Sequence, residues 1–128
     1  MANTVASTFR VNGSRLFVLE VQITGDGSGE ETATELIDPA DLTGAPSSFK
    51  IRAVQWSLDG FSASLLWDAT ASDHALTLST VSDILRFSDT GSHIVNPLST
   101  GATGKLLITT VGLGAGDTGT IIIEGQHS

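Results

Sequence analysis

The stretch IRAVQWSLDGFSASLLWDA, residues 51–69, holds both tryptophans of the chain, one on each side of an Asp-Gly step. Asp59-Gly60 is a two-residue hairpin signal, because a type I′ turn needs positive φ at both central positions. Read as such a loop, it sets Leu58 opposite Phe61, Trp56 opposite Ala63, Val54 opposite Leu65 and Arg52 opposite Trp67. Directly opposed residues share a face. One face then carries Val54, Trp56, Leu58, Phe61, Leu65 and Trp67, and the other, near the turn, carries Gln55, Ser57, Ser62 and Ser64. Trp56 lies among aliphatic residues and is assigned to the core, whereas a sugar platform would set its ring on a polar face or loop. Trp67 falls at the core margin, where Arg52 would cover the indole in a contact worth about 0.5–1 kcal/mol.

Outward from this stretch the period remains two. In RLFVLEVQIT (15–24) the residues Phe17, Leu19, Val21 and Ile23 share one face, with Glu20, Gln22 and Thr24 on the other. Shorter strands are expected over 33–37 and 74–79, residues 83–87 read as a strand or a short helical turn, and two more strands are expected over 105–111 and 118–125 around the glycine-rich GLGAGD. Pro39-Ala40-Asp41-Leu42 reads as a single helical turn, and GDGSGEETATE (25–35), without apolar periodicity, as a mobile acidic loop. About eight strands in 128 residues predict an all-β fold, a single-domain antiparallel β-sandwich of jelly-roll-like form. Residues 15–128 make that domain, and the polar segment 1–14 is assigned as an extended N-terminal arm.

Some strands are apolar on both faces. Phe49, Ile51, Ala53 and Leu66 lie on the side that is polar near the turn, and Leu16, Val18 and Ile122 do the same elsewhere. Such strands need cover from a bulge, a loop or another subunit. The last alternative makes Phe49, Ile51, Leu66 and Trp67, with Phe9 and Arg10 of the arm, the candidate partner-interface residues.

The formal charge is -8 with only six Lys and Arg, which excludes a phosphate-binding basic surface and so a nucleic-acid partner. No apolar run approaches membrane-spanning length. The N-terminus lacks a basic segment followed by an apolar one, so synthesis inside the cell without export is expected. Cysteine is absent, which leaves neither disulfide nor thiolate metal site.

Two Asp-Thr-Gly triplets, at 89–91 and 117–119, match the tripeptide with which aspartic proteases pair carboxylates. Their context is wrong. Ser88 interrupts the first approach, Gly114-Ala115-Gly116 precedes the second, and both suit strand corners. STGATGKLL lacks the first glycine and the hydroxyl residue of a phosphate loop. Asp26, Glu30 and Glu31 lack the alternation of a calcium loop, and His74, His93 and His127 are isolated. No catalytic residue, cofactor or metal site is assigned, and the chain is read as a non-enzyme.

The closing stretch GKLLITTVGLGAGDTGTIIIEGQHS resembles the C-termini of small virion proteins of tailed bacteriophages, particularly head-decoration (cement) proteins. The match is a Gly-led strand ending in two threonines, a glycine-rich Gly-Asp turn and a terminal aliphatic strand; it extends loosely to the strands at 49–68. Such chains often finish on a basic residue, whereas this one ends Gln126-His127-Ser128. The resemblance implies a β-sandwich on the outer capsid surface, with the major capsid protein as partner and a homo-oligomeric state, trimer or dimer. Localisation would be the virion, after synthesis in host cytoplasm. The alternatives are another virion component (tail, fibre or head closure) and a carbohydrate-binding module using Trp67.

Overall fold

The computed structural model describes residues 3–27, 29–44, 46, 48–86 and 94–127. Their strands are β1 (Thr4–Asn12), β2 (Leu16–Thr24), β3 (Thr34–Ile37), β4 (Phe49–Asp59), β5 (Ser62–Trp67), β6 (Asp73–Leu78), β7 (Ser82–Arg86), β8 (Ile94–Val95), β9 (Leu106–Val111) and β10 (Thr118–His127). The one helical element among them is the 3-10 turn Pro39–Asp41, which Asp38 caps by accepting the Ala40 N–H.

All pairings are antiparallel and fall into two sheets. The larger runs β1-β2-β10-β4-β7, with β8 also on β4, and the smaller runs β3-β9-β5-β6. Leaving β1 and β8 aside, eight strands in the order 2-10-4-7 over 3-9-5-6 make a jelly roll: the chain changes sheet at every step from β2 to β10 except β5–β6 and β7–β8. The expected sandwich is therefore present. The segment expected as an arm is extended, and its residues 4–12 are hydrogen-bonded onto β2 as the edge of the larger sheet.

The Asp59-Gly60 hairpin does not form. β4 and β5 lie in opposite sheets, and the chain passes between them at Gly60-Phe61. Gly60 keeps its positive φ of 90°, but Asp59 does not adopt one, so the type I′ turn is missing. Trp56 pairs with Ile121 and Asp83, and Trp67 with Leu106 and Asp73. The face assignment nonetheless holds. Val54, Trp56, Leu58, Phe61, Leu65 and Trp67 are all buried, because a corner that switches sheets points both inner faces at one core, as a hairpin points them at one side.

A bulge explains the two-sided strand. Glu124 pairs with Ala53 and Gly125 with Ile51, so Arg52 is the extra residue. One inserted residue flips the alternation. Leu58, Trp56 and Val54 point inward on one parity; Ile51 and Phe49 do so on the other. Phe49 and Ile51 are 0% exposed and Trp67 1%, which corrects their assignment to a partner interface. Arg52 does not cover an indole either: its guanidinium meets Glu124 at 3.3 Å, a partly exposed pair worth about 0–1 kcal/mol.

The core runs the length of the sandwich. Phe17, Leu19, Val21 and Ile23 of β2 and Ile121 and Ile123 of β10 face Leu65, Trp67, Leu106 and Ile108 of the other sheet. Each such side chain contributes about 1.5–3 kcal/mol on full burial. At one end Phe17 and Phe49 meet edge to face at 5.2 Å and 88°, and Phe49 meets Trp67 at 5.3 Å and 61°.

Candidate functional site

Four crossovers gather at the other end of the sandwich, with described residues 25–27 and 29–33, 60–61, 79–81 and 112–117. The acidic loop is built into this end, in contrast to the mobile loop expected. Glu30 accepts the Leu113 N–H at 3.0 Å, the Gly112 N–H at 2.8 Å and the Thr110 hydroxyl at 2.9 Å. Three donors converging on one carboxylate, the Leu113 amide foremost, hold its pKa below the ordinary value. Glu31 accepts from Asn3 Nδ2 at 3.1 Å and from the Thr34 hydroxyl at 3.2 Å, which ties the start of β1 to the loop. These carboxylates cap a turn and a strand end. Among the described residues no group of three metal-ligating side chains forms.

The second Asp-Thr-Gly belongs to the same end. Asp117 Oδ2 accepts the Gly114 N–H at 2.8 Å, closing the β9–β10 turn, and the carboxylate lies against the Cα of Gly60. Gly119 gives room to Leu58 and Phe61, where a Cβ would come within 2.7 Å and 2.8 Å. The triplet is thus a corner device. Asp89-Thr90-Gly91 and His93 lie outside the described residues. His74 binds Thr77 at 2.7 Å on the outer face of the smaller sheet, and His127 packs beside Phe17, far along the chain from each other and without a shared partner.

The outer face of the larger sheet carries a shallow groove of about 470 Å³ over β4, β7 and β10. Two cross-strand rows build it: Ser82, Ser57 and Thr120, then Ile84, Gln55 and Ile122. The Ser82 hydroxyl donates to Ser57 Oγ at 2.9 Å. Trp56 borders the groove but is 5% exposed, its ring turned to the core and its Nε1 donating to the Ser79 carbonyl at 3.2 Å. Hydroxyls, an amide and two aliphatic side chains can hydrogen-bond and pack against an extended polar chain. Asp83 also lines the groove, its Oδ1 accepting the Ile84 N–H at 2.7 Å.

Exposed aliphatic side chains also occur on the strands at this margin of the sheet. Val81 (50%), Ile84 (41%), Leu85 (37%) and Val95 (62%) mark out β7, β8 and their approach. Every residue of β7 is exposed. Sequence patterning did not select them, since SDILR reads as an ordinary strand and β8 spans two residues. The adjacency of Ile84 and Leu85 is the available signal, because neighbours in a strand point to opposite faces.

Of the six candidate interface residues, Phe49, Ile51 and Trp67 are core. Leu66 is half-buried on the outer face of the smaller sheet beside Leu107 and His74. Arg10 is exposed and ion-paired to Glu20, and Phe9 is half-buried on β1 with its ring 6.3 Å from Phe17. The structure does not bring these three together with one another as one surface: Leu66 lies on one sheet, Phe9 and Arg10 on the other.

No family model matches the chain, and no curated protein matches it. Among solved structures the chain is similar to a mutant of a family 29 carbohydrate-binding module, studied for its ligand recognition. The two share 12% identity at a TM-score of 0.40, over 98% of this chain and 79% of the other. A likeness at that level carries no argument about what this chain binds.

Proposed function

We propose that the chain is a virion structural protein, a head-decoration (cement) protein that adheres to the outer surface of a bacteriophage capsid. The observation that carries the adhesive part is the aliphatic margin of Val81, Ile84, Leu85 and Val95 beside an open sheet edge. Large aliphatic side chains left exposed at a sheet margin are candidates for a contact surface. The capsid part rests on the resemblance of residues 104–128 to phage virion proteins.

Sugar binding through stacked rings has less support. Both tryptophans are at most 5% exposed, and of the described phenylalanines only Phe9 is not buried. The reading of Trp67 as a sugar platform loses its ring to the core.

Adhesion of this kind needs area rather than reactive groups. A standard interface takes about 800 Å² from each partner, roughly an eighth of the 6250 Å² this chain exposes. Contacts repeated over a lattice add avidity.

Two measurements test the proposal. Mass spectrometry of virions purified from the phage that encodes the chain should find it in the head fraction; its absence from virions would overturn the proposal, and recovery only with tails would move it to another virion component. The purified chain should co-sediment with capsids lacking it, and the double variant Ile84→Asp/Val95→Asp should remain in the supernatant with its circular dichroism unchanged. Full co-sedimentation of that variant would remove the aliphatic margin from the contact.

A further inference from the structure

Among the described residues β1, β3, β6, β7 and the two-residue β8 lie at sheet edges, and all but β1 are guarded or very short. β7 is five residues long and carries Asp83 and Arg86; β3 is four residues, bulged and charged at Glu35; β6 is bulged and opens on Asp73-His74. Shortness, charge and bulges are the devices that keep sheet edges from pairing. β1 differs. It runs nine residues without proline or lysine, and its one charge, Arg10, stands at a bulge near its end and is paired to Glu20. From Thr4 to Phe9 the edge is regular and uncharged.

Its inward side is also incomplete. Val5 and Phe9 pack against the core yet stay partly exposed, because the sheet stops at β1. Both ends of the strand are held. Asn3 donates to the Gly29 carbonyl at 2.7 Å, and Asn12 accepts the Thr43 N–H at 2.8 Å and donates to the Asp41 carbonyl at 3.0 Å. The strand is fixed before any partner arrives, which removes the ordering cost that an unpaired arm would carry.

We infer that β1 is a self-association edge: two copies join β1 to β1, antiparallel, about a two-fold axis through Ser7. The pattern selects that axis. Inward residues must oppose inward residues, so the axis passes through a residue and not between two. Through Ser7, Val5 faces Phe9 of the second copy twice over, Ala6 faces Thr8, and both core margins close at once. Through Ala6, Val5 would face Ser7; through Thr8, Phe9 would face Ser7; either choice leaves the apolar pair unmatched. The contact is isologous and closes at two copies. It uses the edge opposite β7, so the aliphatic margin of each copy stays free, and it stands whether or not the capsid proposal holds.

The test uses the full chain. Light scattering behind size exclusion should give twice the 13.2 kDa chain mass. The chain has no cysteine of its own, so Ser7→Cys reports the register directly. On the axis the two Cα atoms would sit about 4.5–5.5 Å apart, within disulfide reach, and mild oxidation should give a covalent dimer. Thr4→Cys should not cross-link, since the two copies of residue 4 lie about 20 Å apart along the strands. Ala6→Lys/Thr8→Lys opposes like charges on both sides of the axis while setting Lys beside Gln22 and Glu20 within the chain, so it should fold as a monomer. A monomeric full chain, a trimer, or a dimer that Ser7→Cys does not cross-link would each overturn the inference.

Discussion

Phe49→Ala separates a core residue from a contact residue. Phe49 is 0% exposed and lies edge to face with both Phe17 and Trp67, at 5.2 Å and 5.3 Å. Truncating a buried phenylalanine costs about 3–5 kcal/mol, through lost transfer free energy and the cavity left behind. Two edge-to-face contacts, each worth about 0.5–1.5 kcal/mol beyond area, place this site in the upper half of that range. A surface docking residue would change stability by no more than about 0.5 kcal/mol. Urea unfolding followed by tryptophan fluorescence reads the difference, since Trp67 is in direct contact with the deleted ring. The expected result is a large fall in midpoint at unchanged slope, or a melting temperature lower by roughly 10–20 °C. Phe49→Leu, which keeps most of the volume, should recover more than half of the loss. A stability change below about 1 kcal/mol for Phe49→Ala would refute the bulge at Arg52 and the inward placement that follows from it.

Two further outcomes follow from the ends of the sandwich. Glu30→Gln should lower stability at neutral pH. Because the folded-state pKa of Glu30 is depressed, its ionised form contributes above its unfolded pKa, and the contribution disappears as pH falls through the folded value. Thermal melts of wild type and variant should therefore converge in acid; a gap that persists unchanged there would assign the effect to shape instead of charge. Gly125→Ala should destabilise by about 1–3 kcal/mol, since the added methyl would overlap the buried Phe17 ring, and an unaltered urea midpoint would show that the ring has room to move.

Faces were legible in the sequence; neighbours were not. Alternation in 15–24 and 118–125 places Phe17, Leu19, Val21, Ile121 and Ile123 on one face, and all five are buried, because side-chain parity depends only on local backbone geometry. The partners of residues 49–67 depend on whether Gly60 folds the chain back or across. Both paths bury Leu58 and Phe61, so composition cannot separate them. A bulge was one of three ways to cover Phe49 and Ile51, and its place at Arg52 is decided by Glu124 and Gly125, which lie far along the chain. β1 escaped as a strand because Ser7 interrupts its inward row and only Val5 and Phe9 mark it as apolar. In the acidic loop, Glu30 reaches donors 80 and more positions away, a relation that no window of sequence contains. The interface candidates fared unevenly for the same reason. Trp67 and Ile51 were placed by a pairing that does not exist, whereas Arg10 and Leu66 are at least partly accessible.

β10 lies between β2 and β4 in the larger sheet, so it joins segments that are made well before it in synthesis. Until residues 118–127 leave the ribosome, Val21 and Trp56 have no common neighbour, and two apolar rows wait uncovered. Pairings separated by roughly a hundred positions also close slowly. Nascent chains of this protein should therefore remain unfolded and chaperone-dependent until residues 118–127 have emerged, and should then acquire their structure in one concerted step.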